Sequence, residues 1–557
     1  MPRLEHRIPL RARQLVVRSL PDGLWERLSP TLHGEASWQR SAGTAVARAA
    51  TRRRVGAGGD EQLPVRSGGR SFLGRSVERF TAADALDGNL ATVVTALRQA
   101  GVPHWLVAAR PGERRVVGLP ASRRADLGRA LRDFPGARQG YLAAVEGDRL
   151  ARVRPADRPL PDRATVLRYF DVLATPQGQE LAAGAFGCDV ELWQDRAGTL
   201  HAPRPNRYAV EIPPAEQKPA VRRVGDLDVD TFPAFEVPHV FDVDFPVDVV
   251  YTWVDGSDPA WVERKRRAWE QVAPGSVSDF SANSSRYLSR DELRYSLRSL
   301  DAYAPWVRTV YLVTDDQVPA WLDTTNPRIR VVSHQELFAG TGRLPTFNSH
   351  AIESRLHRIE GLSEHYLYLN DDVFFGRPVS PELFFGGNGT SRFFLSRAHV
   401  ALGEPAADEL PVMSAGKNNR ELIRRRSGRV LTHKLKHVPH PQQRSVLEEM
   451  EKEFGEEFAR TAASPFRHPD DISVPSALFP YYAWMAGRAA PGDIRYYYAD
   501  IASPKTSARL RRVLRDRDYD VFCLNDHDTA DVDPEEQVRL ILDFLRQYFP
   551  LPGAFER

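Results

Sequence analysis

The chain has 557 residues, of which 42% are hydrophobic and 10% aromatic, enough to bury sizeable cores, and its 27% of charged residues excludes disorder over the whole length. Seventy-six basic residues nearly cancel 73 acidic ones and leave a net charge of +3, so nucleic acid is not an expected partner. Two cysteines, Cys188 and Cys523, exclude a disulfide framework and a cysteine-rich zinc site, and suit a reducing, cytoplasmic setting.

Residues 1–80 are Arg-rich, with fifteen Arg against seven acids, and AGGD and RSGGRS interrupt them; they read as a partly flexible N-terminal segment. Within them ARQLVVRSLPDGLWERL is either a basic amphipathic helix for an anionic membrane surface or a helix packed on the next domain. No apolar run approaches the ~20 residues that cross a bilayer. Residues 81–246 read as an accessory α+β domain and linker. LATVVTALRQAG predicts a helix ending at Gly101, HWLVAA and RVVGL strands, ASRRADLGRALRDF a helix and GYLAAV a strand. A meander follows over VELWQDRAGTLHAPRPNRYAVEI, and the acids and prolines of 226–246 predict an extended linker or edge strand.

From residue 247 to 535 strands alternate with helices. VDVVYTW, TVYLVT and HYLYLN are continuous apolar strands of the kind buried on both faces. RDELRYSLRSLDAYA puts Leu293, Leu297 and Leu300 on one helical stripe; Ser333 with Glu336 makes a capping box, and HAIESRLHRIEGL predicts a helix stopped by Gly361. Residues 536–557 form a C-terminal helix and tail. The alternation predicts an α/β fold, a mostly parallel, doubly wound (Rossmann-like) sheet with flanking helices, whose ligands gather at the carboxyl ends of the strands.

The polar groups fall at those ends. Trp253, Asp255 and Asp258 follow the first strand, where they either receive a ribose or base or form an Asx-type turn. Asp371 and Asp372 follow HYLYLN, where adjacent acids either hold Mg²⁺ or Mn²⁺ against a diphosphate or stop a strand in solvent. Asn348 and Ser349 open a helix whose amides either bind an anion or are merely capped. His437 and His440 lie in a loop stiffened by Pro439 and Pro441, where an imidazole can serve as general base. Arg467 can clamp a phosphate, and Asn525 with Asp526 adds a further amide and acid. There is no P-loop, dinucleotide fingerprint or nucleophile elbow.

VDVVYTWVDGSDPAW, RDELRYSLRSLDAYAPWVRTVYLVTDDQVPAWL, LPTFNSHAIESRLHRIEGLSEHYLYLNDDVFFG, KHVPHPQQRSVLEEM with FRHPDDI, and FCLNDHD resemble the successive conserved regions of the Stealth family. The resemblance implies a GT-A-like core that transfers a hexose-1-phosphate or N-acetylhexosamine-1-phosphate from a UDP-sugar to a glycan hydroxyl, with a divalent ion and release of UMP, in capsule or exopolysaccharide synthesis. It implies that Trp253, Asp255 and Asp258 hold the nucleotide and that Arg286, Arg290 and Asp291 line the donor or acceptor pocket. Asn348 and Ser349 would contact sugar or diphosphate, and Asp371, Asp372 and Asp526 would hold the metal. His437 would accept the acceptor proton, with His440 as the other candidate, and Arg467 would stabilise phosphate charge. The same inventory also fits a metal-dependent glycosyltransferase releasing UDP, or a silent polysaccharide-binding protein. Peripheral attachment to the inner membrane face and homo-oligomerisation are further expectations.

Overall fold

A computed structural model describes residues 62–557 except 108–111, 148, 273–276, 278–286, 288, 502, 504–505 and 526–533. The basic amphipathic segment, Arg286 and Asp526 therefore lie outside the described residues. The first described elements are β1 (Gln62–Ser67) and β2 (Arg70–Ser76), antiparallel with Ser67 opposite Arg70. RSGGRS is thus a two-residue hairpin turn, because Gly68 and Gly69 take φ of +53° and +78°, which only glycine adopts cheaply. The segment expected to be partly flexible up to residue 80 ends in ordered structure.

Helix α1 (Ala82–Gln99) is capped by Thr81, whose hydroxyl accepts from the Asp84 amide, and it stops just before Gly101. It covers an eight-stranded mixed sheet whose long strand Cys188–Arg196 pairs in parallel with Val116–Pro120 and antiparallel with Val166–Phe170. The stretch expected as an extended linker or edge strand begins as a strand, Leu227–Thr231, which pairs antiparallel with Ala220–Val224.

The second half carries β3 (Val247–Thr252), α2 (Pro259–Trp269), α3 (Glu292–Tyr303), β4 (Val307–Thr314), β5 (Ile329–Ser333), α4 (Ser349–Glu353), β6 (His365–Asn370) and β7 (Val373–Phe375). These are followed by α5 (Pro411–Ser427), β8 (His440–Gln443), β9 (Tyr496–Asp500), β10 (Val521–Asn525) and α6 (Pro534–Tyr548). One sheet has the order β5-β4-β3-β6-β8, parallel except for the edge strand β8. Alternate side chains feed two cores: Val249, Leu312 and Leu367 enter one, and Val250, Tyr311 and Tyr366 the other. That two-sided burial is why the strands read as unbroken apolar runs. A second sheet, β7-β10-β9, lies beyond β6.

The helix expected over HAIESRLHRIEGL is shorter. It ends at Glu353, and a 3₁₀ turn, Leu356–Arg358, takes over. Ser354 Oγ donates to the Ala351 carbonyl at 2.8 Å, a local bond that competes with the helical ladder. In the tightened chain, residues three apart eclipse, and Arg355, His357 and Arg358 all converge on Glu451.

Candidate active site

Strand order reverses between β3 and β6, so their carboxyl ends flank the crevice where ligands of open α/β sheets bind. Thr252 and Asn370, the last residues of these strands, are register partners. Behind them the buried Tyr368 hydroxyl lies 3.1 Å from Thr252 Oγ1 and donates to Glu353 Oε1 at 3.1 Å. Glu353 is 6% exposed, and its Oε2 has no hydrogen-bond partner.

Past β6 the chain turns at Asp371 and Asp372. The Asp372 carbonyl accepts from the Leu524 amide at 3.0 Å, which ties the turn to β10. Its carboxylate is more fully engaged. Oδ1 lies 3.2 Å from His437 Nε2, while Oδ2 accepts from Asn525 Nδ2 at 2.9 Å and from the Cys523 thiol at 3.3 Å. Burial alone would raise the Asp372 pKa, but His437 and these donors outweigh it and hold the carboxyl below its usual range. The same pairing overcomes burial at His437 and lifts its imidazole above the ordinary histidine value. Cys523 is pushed well up by burial and by Asp372, so it stays a thiol. His440 is buried against Tyr368, and burial together with the neighbouring His437 lowers it to about 3. It is neutral at any physiological pH.

Arg467 enters from the loop after residue 463, and its Nη2 donates to Ser349 Oγ at 2.6 Å. Asn348, expected to touch sugar or diphosphate, is fully buried and committed to the protein. Its oxygen caps the His350 amide at 3.0 Å and its amide donates to Asp471 Oδ2 at 2.8 Å. Asn348 therefore pins the loop that carries Arg467. Helix α5 adds to this, since Asn418 donates to the Pro469 and Asp471 carbonyls.

After β3, Asp255 Oδ1 accepts from the Ser257 amide and hydroxyl, and Asp258 caps α2 through the Ala260 amide. The local Asx-turn reading of this loop therefore holds, although Trp253 and Asp255 remain partly exposed. Gln317, buried, orders it by accepting from the Asp255 amide and donating to the Asp255 carbonyl and Asp258 Oδ2. Gly256 is required, because a Cβ there would sit 2.2 Å from the Tyr287 carbonyl oxygen. At the start of α3, Arg290 and Glu292 form a buried pair at 3.5 Å. Asp291 takes a left-handed φ of 65° and turns its half-exposed carboxylate toward Arg294. The acid facing the crevice is Glu292. Burial raises its pKa, Arg290 opposes this and Asp372 adds to it, while Asp371 is pushed well up by burial, Glu292 and Asp372.

Three carboxyls thus crowd one turn, an excess of negative charge that a divalent cation would relieve. Among the described residues, one group of ligand-type side chains, Asp372, His437 and Cys523, places its donor atoms within 4.8 Å of one another. A thiol and an imidazole turned onto Asp372 suit Mg²⁺ or Mn²⁺ poorly, so hard oxygen donors for such an ion would come from Asp372 and the adjacent Asp371, with Glu292 acting on both through its charge. Glu353, Glu292 and Gln317 escaped the sequence reading. Glu353 had a usable signal, since it stands four residues after Ser349 on the same helical face.

The structure defines an α/β protein that gathers carboxylates, an imidazole and a guanidinium at the reversal point of a parallel sheet. Family models match four stretches of this half: Stealth protein CR1, conserved region 1, over residues 245–271; CR2, conserved region 2, over 286–393; CR3, conserved region 3, over 436–483; and CR4, conserved region 4, over 511–557. An exopolysaccharide phosphotransferase of Streptomyces coelicolor is 46% identical over 85% of this chain and 82% of its own. Another from the same organism is 40% identical over 99% and 97%. CpsY of Mycobacterium tuberculosis, also named an exopolysaccharide phosphotransferase, is 35% identical over 88% and 91%. The chain belongs to the Stealth family. Among solved structures, galactosyltransferase LgtC in complex with donor and acceptor sugar analogues overlaps 55% of this chain and 96% of its own, at 12% identity and a TM-score of 0.29. Among the described residues no helix is long and apolar enough to cross a membrane.

Proposed function

We propose that the protein transfers a hexose-1-phosphate or N-acetylhexosamine-1-phosphate from a UDP-sugar to a glycan hydroxyl in exopolysaccharide or capsule synthesis. The observation that carries this reading is the His437–Asp372 pair, set beside Arg467 at the switch point. The names of the relatives, exopolysaccharide phosphotransferases, agree with it.

Phosphoryl transfer needs in-line positioning and charge neutralisation more than a covalent nucleophile. With Asp372 holding a proton on His437 Nε2, the opposite nitrogen, Nδ1, is left as the base. The acceptor hydroxyl gives its proton to Nδ1 as its oxygen bonds to the sugar-linked phosphorus. The bond from that phosphorus to the UMP oxygen breaks, and UMP leaves with the electron pair. Arg467, steadied on Ser349, faces the charge that builds on the phosphates. A cation held at Asp371 and Asp372 would supply Lewis-acid neutralisation of the diphosphate. Cys523 as a thiol offers no competing nucleophile.

The test is the identity of the nucleotide product. Incubation with a panel of UDP-sugars, Mg²⁺ and a glycan acceptor should yield UMP on anion-exchange chromatography. UDP would instead identify a glycosyltransferase, and no turnover above buffer with any acceptor would identify a binding protein.

A further inference from the structure

Between the N-terminal sheets and the β7-β10-β9 sheet lies a cleft of about 1440 Å³ that contains none of the residues of the transfer centre. Small-molecule pockets are typically ~300–1,000 Å³, so this cleft has room for several units of a polymer. Its walls include the end of β1, the region of Asp189, residues 376–378 after β7, and residues 515–517 at the end of the helix Thr506–Asp516 that precedes β10. β10 runs from this side at Val521 to the transfer centre at Asn525. At ~3.3 Å per residue, that separates the two sites by about 13 Å.

The charges of the cleft are layered. Asp189 and Glu191 lie at the back, 2% and 1% exposed, and are held by Arg168 and Arg204. Glu180 is bonded by Ser67 and pushed up by burial, which favours its neutral form. Asp516, on the rim, is bracketed by Arg512 and Arg515. The guanidinium groups stand in front: Arg114 is 44% exposed, Arg377 37% and Arg204 34%, with Arg66 open at the edge. Two acids, Glu113 and Asp516, also reach the mouth, but along the whole lining seven arginines stand against five acids, so the cleft carries a net excess of guanidinium. Planar, forked guanidinium groups at intervals along a long trough match phosphate groups at intervals along a chain.

We propose that this cleft holds a phosphodiester-bearing oligosaccharide, keeping the growing chain on the protein while its end is extended elsewhere. The proposal rests on the function proposed above, because a sugar-1-phosphate transferase leaves one phosphate in every link it makes. The cleft would raise affinity for long acceptors without entering the chemistry.

The experiment is calorimetric titration of the full chain with a synthetic hexasaccharide joined through phosphodiesters, with its neutral glycosidic counterpart and with inorganic phosphate. The charged hexasaccharide should bind, and more weakly as salt rises. Arg66→Ser combined with Arg114→Ser should weaken that binding by about tenfold while thermal midpoint and UMP release with a monosaccharide acceptor stay unchanged. Arg377→Gln, which keeps a donor toward Asp520, should weaken it in the same direction. Equal affinity for the neutral counterpart, or wild-type affinity in both variants, would overturn the proposal. UMP release without hexasaccharide binding removes the cleft reading alone; UDP release with binding intact removes the reaction alone.

Discussion

Asp372 engages one carboxylate oxygen with His437 and the other with Asn525 and Cys523, so its charge and position are set before any ligand arrives. His437→Ala should therefore lower turnover by about 10²–10⁴-fold, the usual contribution of a general base, with the thermal midpoint unchanged. Near-normal turnover by initial rates would remove His437 from the base role. Glu353 poses a different test. Its buried Oε2 lacks a partner, which costs roughly 1–3 kcal/mol unless a ligand supplies one. Glu353→Gln keeps the shape and removes the charge. We expect turnover to fall at least about tenfold while thermal stability holds or rises; loss of stability with full activity would make Glu353 purely structural. The meeting of Asp372 and His437 was foreshadowed in the sequence, because acids at a strand end and an imidazole just before a proline-stiffened turn are uncommon constellations. The inward turn of Asn348 was not legible, because a letter pattern does not distinguish an amide that caps inward from one that faces a crevice. The orientation of Asp291 and Glu292 was hidden for a similar reason: one left-handed residue decides which of two adjacent acids turns inside.

Strands and helices followed their sequence signals wherever burial set the pattern. β3, β4 and β6 carry apolar side chains to both cores, and α3 places Leu293, Leu297 and Leu300 inside as its spacing requires. The exception is the short helix α4, whose continuation is replaced by a cluster of charge. Arg355, His357 and Arg358 surround Glu451, and although burial works against them, they hold its carboxyl down at about 2. No periodicity reveals such a clamp, because its partner lies some ninety residues away in sequence. A carboxyl depressed from 4.5 to about 2 adds stability that is complete above pH 4.5 and disappears as pH falls toward 2. The ceiling is about 3 kcal/mol at roughly 1.4 kcal/mol per unit. Glu451→Gln should therefore unfold at lower denaturant than wild type at pH 7, with the gap closing as pH drops from 4.5 toward 2. A gap that does not change with pH would mean that Glu451 acts through packing and not through charge.

On the scale of the whole molecule, the C-terminal tail reaches back to the helix that opens the crevice. Phe555 is 1% exposed within the core shared by β3, β4 and α3. Beside it, Glu556 is 2% exposed and accepts from Arg294 Nε at 2.5 Å and from Arg298 Nε and Nη2 at 2.6 and 2.8 Å. Both arginines belong to α3, whose first residue is Glu292. Burial opposes ionisation of Glu556, but Arg298 and the Gly553 amide outweigh it and hold its pKa below the usual range. Removing one member of a buried ion pair leaves the other uncompensated, at a cost of about 3–5 kcal/mol. Glu556→Ala should approach that loss in denaturant unfolding, because Arg298 is only 11% exposed and would lose both of its carboxylate bonds. Glu556→Gln should recover part of it, since an amide oxygen can still accept from one guanidinium. If α3 transmits the change to Glu292, turnover should fall in the Ala variant even well below its unfolding temperature, and the metal concentration needed for half-maximal activity should rise. Turnover and metal requirement both at wild-type levels in a destabilised Glu556→Ala protein would show that the tail stabilises the fold without positioning the crevice.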